Sequence, residues 1–307
     1  MQTATRFGPR EALLLATLAG FWGFSFLFIE VALRAVAPLW IVSARVTIGA
    51  AVLLTVLAAR RVRLPRGWSL WRHLVVLGVL NNAVPWTAVA WAQQSLPSGL
   101  TALLMALVPL STLLVSVTVG LEQITSLRLI GLAVSLGGVA LIVLEGVEDI
   151  GRIIAMATVM AATLLYATGT VYAKRHVSGR IPALSLAAGQ VSATAVLLVP
   201  FSLLVAPLPT AGELNVAIVG SLVALGALGT GFAFLLFYTL VERVGATNAT
   251  MVTYLVPVIA VIAGIVVLGE ELGTRVLVGG AVVVAGIWVT QRGLPRSAEE
   301  AFTRAPR

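Results

Sequence analysis

Cysteine is absent from the 307 residues, which excludes disulfides, thiol catalysis and Cys-ligated zinc. Histidine occurs twice, at His73 and His176, both near basic residues, so a catalytic metal site is not expected. Charge is scarce. Asp, Glu, Lys and Arg make up 10% of the chain, against about 25% in a soluble domain. With 59% hydrophobic residues no water-soluble surface can be built, and the composition is that of a polytopic membrane protein. The net charge of +8 does not point to nucleic acid, because the arginines are confined to short segments between apolar runs. No phosphate loop, nucleophile elbow or metal-ligand spacing is present. Neither an enzyme nor a cofactor is expected; the expected partners are the lipid bilayer and a small-molecule substrate, with protons as a candidate coupling ion.

What the chain does have is a long internal duplication. The stretch from Leu96 to Leu144 lands on Val244 to Arg292 when shifted by 148, without a gap. Pro109 falls on Pro257, Glu122 on Glu270, Gly131 on Gly279 and Gly138 on Gly286, and Leu107-Val108-Pro109 repeats as Leu255-Val256-Pro257. Each copy reads as an apolar segment with a central proline, a glutamate, and a Gly-containing apolar segment. A duplicated pair of membrane helices points to a two-halved protein, the usual build of transporters.

A spanning helix needs about 20 apolar residues. Ten stretches qualify: 11–33, 38–59, 73–94, 97–120, 127–145, 151–173, 182–205, 214–240, 246–268 and 274–291. Cleavage of the first as a signal peptide is disfavoured: the run is long, it contains Trp22 and Glu30, and Pro38 would follow the cut. The expected fold is all-α, ten transmembrane helices in two inverted five-helix repeats. The halves are 1–145 and 146–293, with a cytoplasmic tail at 294–307.

Positive charge sets the orientation. With the N-terminus cytoplasmic, inside segments hold 16 of the 20 cationic residues, among them Arg60, Arg61, Arg63, Arg66 and Arg72 in one loop. Outside segments hold Arg34, Arg152 and Arg275. Glu145, Glu148 and Asp149 make one outside loop acidic. Both termini are therefore expected in the cytoplasm, with the protein in the cell (inner) membrane. Five spans per half also make the two copies run in opposite directions.

Pro109 and Pro257 then mark the middles of spans 4 and 9. A proline has no N–H for the carbonyl four residues back, and in hydrocarbon that carbonyl needs another partner. A structural kink or a hinge lining a cavity would both explain the pair. Span 3 carries Asn81, Asn82, Pro85 and Trp86 near its middle. Adjacent amides at that depth face the bundle interior, as cavity wall or as interhelical glue at about 0.6 kcal/mol per bond. Trp22, Tyr166, Thr230 and Tyr254 complete the candidate substrate contacts, with Ser25, Thr163, Gln190 and Phe234 as weaker ones; packing alone would also explain each.

Two charges lie within spans. Arg45 sits about 10 Å deep, counting 1.5 Å per residue from Pro38, and Glu30 lies at a shallower level on the neighbouring span. They are expected to pair with one another; an unpaired Glu30 would instead be the candidate proton carrier. Glu122 and Glu270 sit at helix ends and are expected to do a structural job at those turns.

These residues carry a resemblance. Trp22-Gly23, Arg45 after Pro38, the run Ala102-Leu103-Leu104, Pro109, Glu122, Gly131 and Gly138, and the second copy Pro257, Gly269-Glu270, Gly279 and Gly286 are similar to the EamA-type family of the drug/metabolite transporter superfamily. In the first copy Leu121 stands where the family has glycine, with Gly120 one place earlier, so the turn is expected to differ there. The resemblance implies ten helices, cytoplasmic termini, a central cavity and export of small metabolites, such as amino acids, or of drugs. Uptake or exchange by the same fold, and a non-transporting sensor or scaffold, remain alternatives.

Overall fold

The computed structural model describes residues 8–145 and 149–292, and among these it is all helical, without strands. The expected tail at 294–307 and Glu148 of the acidic loop lie outside the described residues. Each apolar run forms one element: α1 (Pro9–Leu33), α2 (Pro38–Ala59), α3 (Trp68–Ala92), α4 (Ser98–Thr118), α5 (Ser126–Glu145), α6 (Ile150–His176), α7 (Ala183–Val205), α8 (Val216–Gly245), α9 (Val252–Leu268) and α10 (Thr274–Arg292). Nine are long and apolar enough to cross a bilayer; α9 is a shorter apolar helix. Their outer faces are bare hydrocarbon, with Leu204 and Val216 more than 80% exposed. In water such a surface would be an aggregation site; against lipid it is the expected boundary. The chain is a multi-pass membrane protein.

Local chemistry sets the helix ends. Pro38 opens α2, where a missing N–H costs nothing. Asp149 caps α6 by accepting from Gly151 N (2.8 Å) and Arg152 N (3.3 Å), and Asn215 caps α8 by accepting from Ile218 N (3.1 Å). Two starts differ from expectation. α3 begins at Trp68, earlier than 73, because a helical turn at the wet boundary need not be apolar; there Trp71 Nε1 donates to the Pro65 carbonyl (3.0 Å). α9 begins at Val252, later than 246. The chain bends at Gly245 (φ 82°) and turns again at Thr250–Met251 before the helix settles.

The two central prolines also behave differently. α4 is interrupted at Ala106–Leu107, just before Pro109, whereas Pro257 sits inside the continuous segment Val252–Ala263. Widened π-helical turns occur at Val79–Ala83 in α3, Ala227–Phe232 in α8 and Gly264–Leu268 in α9. The first two begin 148 residues apart, at Val79 and Ala227. Pro85 follows the turn in α3, but Ala233 stands at the matching place in α8, so the widening does not depend on a proline.

Lipid gives helices little hydrophobic reason to associate, so close contact rests on small residues and buried polar bonds. α5 and α10 cross most intimately. A Cβ at Gly138 would lie 2.6 Å from the Gly279 carbonyl oxygen, and one at Gly279 would lie 2.6 Å from the Gly138 carbonyl oxygen. Gly131 and Gly286 meet in the same reciprocal way. At the centre Ser135 Oγ donates to the Val283 carbonyl (3.2 Å), and these residues are themselves 148 apart. The two helices therefore run antiparallel, with each glycine of one copy against the other glycine of the second. The remaining contacts are matched too: α1 packs on α9 as α6 packs on α4, α1 on α8 as α6 on α3, and α2 on α8 as α7 on α3. Three apolar clusters fill the interior, one around α2, α3 and α7, one around α4, α5, α6 and α10, and one around α1, α8 and α9.

Candidate functional site

Four of the expected residues converge from four helices. Arg45 of α2 is buried, and its guanidinium carbon lies 3.9 Å from the centre of the Trp86 ring on α3. Arg45 Nε donates to Thr230 Oγ1 (3.0 Å) and Nη2 donates to the Gly229 carbonyl (3.4 Å), both on α8. Trp86 Nε1 donates to the hydroxyl of Tyr166 on α6. Thr230 also donates to the Leu225 carbonyl five residues back (3.2 Å), a bond available because α8 is widened there. Gly49 makes the approach possible: a Cβ there would lie 2.6 Å from Thr230 Cγ2. The assembly joins a cation, an indole face, a phenol and a hydroxyl, and it draws on α2 and α3 from the first half and α6 and α8 from the second.

The expected Glu30–Arg45 pair is not present. Glu30 Oε2 accepts from Gln93 Nε2 (3.4 Å), which also donates to the Phe26 carbonyl (3.0 Å), at the C-terminal ends of α1 and α3. Arg45 is instead drawn to α8, where the π-helical turn presents the Gly229 carbonyl and Thr230 together. The amides separate as well. Asn82 Nδ2 donates to Thr194 Oγ1 on α7 (3.2 Å), which makes it interhelical glue. Asn81 lies against Gly169 on α6, in space that a Cβ would fill, and its Oδ1 is buried without a hydrogen-bond partner. Pro85 is buried at the start of the helix that follows the widened turn, next to Trp86.

The other candidates lie elsewhere. Trp22 packs on Phe237 with ring centres 5.7 Å apart, in the α1–α8 cluster. Tyr254 and Pro257 line a separate cavity of about 730 Å³ between α9 and α10, with Trp288 and Leu103, and the Tyr254 hydroxyl is buried without a partner. Pro109 stands at the break of α4. Of the weaker candidates, Thr163 joins Ser111 of α4 (2.7 Å), Ser25 bonds back to the Phe21 carbonyl (2.7 Å), Phe234 stacks on Tyr238 (6.2 Å), and the Gln190 carbonyl accepts from Thr194 (2.8 Å). Thr194 and Gln93 are the partners that sequence reading missed. A lone threonine in an apolar run and a glutamine at a helix end carry no spacing signal.

The helix-end glutamates are structural, but unequal. Glu270 accepts from Ser98 N (2.6 Å) and Gly99 N (3.0 Å), so its carboxylate closes the N-terminus of α4. Glu122 pairs with Arg128 (3.0 Å) in its own turn. The backbone is shared: Glu270 N donates to Gly264 O (3.0 Å) and Glu122 N to Ser116 O (3.3 Å), six residues back in both. The left-handed residue is Gly269 (φ 69°) in one copy and Gly120 (φ 72°) in the other, one place earlier, as Leu121 requires.

The structure is a multi-pass helical bundle with a polar, charged cluster buried among α2, α3, α6 and α8, and its relatives place it among membrane transporters. The EamA-like transporter family matches residues 10–144 and 153–292, nearly the whole chain in two blocks, and the chain belongs to that family. It is 26% identical over 289 residues to an uncharacterized transporter of Archaeoglobus fulgidus, covering 92% of this chain and 99% of that one. It is 29% identical over 283 residues to a protein of Streptantibioticus cattleyicolor described as a probable terminal-alkyne amino-acid exporter, covering 92% and 93%. It is also 29% identical over 280 residues to the uncharacterized inner membrane transporter YedA of Escherichia coli, covering 88% and 87%. A solved crystal structure with 21% identity superposes with a TM-score of 0.65 over 94% of this chain and 98% of that one, and shares the fold.

Proposed function

We propose that this protein is a secondary transporter of the inner membrane that exports small metabolites by alternating access, with substrate held at the Arg45–Trp86–Tyr166–Thr230 cluster. The observation that carries this reading is the origin of those four side chains: two come from each half. A site shared between halves is remade whenever the halves rock, and that couples binding to access. The reciprocal α5–α10 crossing and the matched helix pairs support two five-helix halves, 1–145 and 146–293, related by a two-fold axis in the membrane plane. The charge bias supports cytoplasmic termini. Export and an amino-acid-like substrate are supported by the name of the Streptantibioticus relative. Glu30, held by Gln93, is the candidate for proton coupling.

The test is counterflow of radiolabelled amino acids in proteoliposomes. Wild-type protein is expected to exchange at least one of them, and Trp86→Ala to lose that exchange while reconstituting to the same level. Full exchange by Trp86→Ala would remove the cluster from the transport path.

A further inference from the structure

Arg45 is a buried cation whose neighbours are all neutral. They are the Thr230 hydroxyl, the Gly229 carbonyl and the Trp86 ring. Four carboxylates of the bundle are engaged elsewhere, Glu11 with Arg243, Glu30 with Gln93, Glu122 with Arg128 and Glu270 with the start of α4, and no described carboxylate forms an ion pair with Arg45. Buried charges in a low-dielectric interior are paired, because an uncompensated one is expensive. From this vacancy in the pairing we infer that the missing counter-charge is a carboxylate of the transported molecule. The inference rests on the reading of this cluster as the substrate site, and it narrows that reading to acids.

The donors are already arranged for it. Nε and one Nη2 hydrogen of Arg45 are used on α8, which locks the guanidinium plane. The end edge formed by Nη1 and Nη2 has no partner among the described residues, and that edge gives two parallel bonds to a carboxylate. Tyr166 supplies a further donor. Its oxygen accepts the Trp86 indole N–H, which leaves its own hydrogen free. Thr230 is the positioning residue: it accepts from Arg45 and donates to Leu225, so both of its roles are filled. The cluster holds no carboxylate to receive a cation, and its Trp86 face is already occupied by Arg45. A positively charged solute without an acid group would meet Arg45 as a like charge.

The test compares acids with their amides. Full-length protein in lipid nanodiscs is titrated, with tryptophan fluorescence as readout, with the N-acetyl derivatives of leucine, phenylalanine and glutamine and with the corresponding N-acetyl amides. The expected result is an acid that binds at least about tenfold more tightly than its amide, the scale of one charge-assisted bond. Arg45→Met is expected to erase that preference. Thr230→Asp places a carboxylate beside Arg45 Nε, so it is expected to keep the fold and thermal stability yet lose the acid preference, which a purely structural role for Arg45 would not produce. Equal binding of acid and amide, no binding of any acid, or a persistent acid preference in Thr230→Asp would overturn the inference. Protein-dependent flux of amides or amines without flux of acids would overturn it too, yet leave transport standing. No protein-dependent flux of any solute would instead remove the transport reading.

Discussion

Glu122 and Glu270 end two copies of one helical stretch with the same backbone bond, and their side chains do different work. Glu270 reaches across to α4 and satisfies the N–H groups of Ser98 and Gly99. Glu122 stays in its own turn on Arg128. At the α5–α10 crossing the copies are instead interchangeable, glycine for glycine. The contrast separates two kinds of position in a duplicated protein. The crossing holds the halves together and must look alike from both sides. The glutamate ends differ: one copy is tied to α4 by a bond that the other copy lacks.

The comparison can be broken at four places, in order of decreasing expected effect on stability. Gly138→Leu drives a side chain into the α10 backbone, so folded protein is expected to be lost, as judged by size-exclusion chromatography in detergent. Gly286→Leu is expected to do the same, and a tolerated change at only one of the two would show that the crossing is not equivalent from both sides. Next, Glu270→Ala leaves buried N–H groups of α4 unbonded and is expected to cost about 2–3 kcal/mol in thermal unfolding. Glu122→Ala strips the buried Arg128 of its carboxylate and is expected to cost about 1–2 kcal/mol, held down because Glu122 is partly wet and Arg128 keeps the Gln123 carbonyl. Equal shifts would erase the difference between the two copies.

The third test sets Asn82 against Trp86, four residues apart on α3. Asn82→Ala removes the bond to Thr194 and is expected to lower stability by about 1 kcal/mol while sparing flux. Trp86→Phe keeps a ring over Arg45 but deletes the bond to Tyr166; flux is expected to fall severalfold with stability nearly unchanged. Lost flux in Asn82→Ala would move the site toward α7. Glu30→Gln has the smallest expected effect on stability, because the new amide can still accept from Gln93. In vesicles it is expected to abolish flux driven by a pH gradient and to spare downhill flux; retained gradient dependence would exclude Glu30 as the coupling carboxylate.

The helices were legible because a bilayer admits few solutions, and apolar runs of about 20 residues, such as 38–59 or 97–120, fit a spanning helix. The duplication was legible because its glycines and prolines are pinned by close approach and bending. Arg45, Trp86, Tyr166 and Thr230 could be singled out as polar or aromatic residues deep in apolar runs. Their convergence could not be read, because it depends on which face of α2 meets α8. That face is set by Gly49 and by the widened turn at Ala227–Phe232, which leaves no mark in residue spacing. The same gap explains the wrong partner given to Glu30. Depth along a helix can be counted in sequence, but azimuth around it depends on the neighbours, and Gln93 lay on the side that counting could not see. Tyr254 lines the cavity between α9 and α10 and does not join the Arg45 cluster, a placement that counting along the helix does not give.

The bond from Ser135 to Val283 joins a residue to its own counterpart. Such a contact requires no second surface to arise. A backbone carbonyl accepts whatever side chain its residue carries, so the bond needs a hydroxyl on one copy only: Ser135 donates, and Val283 supplies a carbonyl beneath an apolar side chain. The crossing is alike in its glycines and one-sided in its donor.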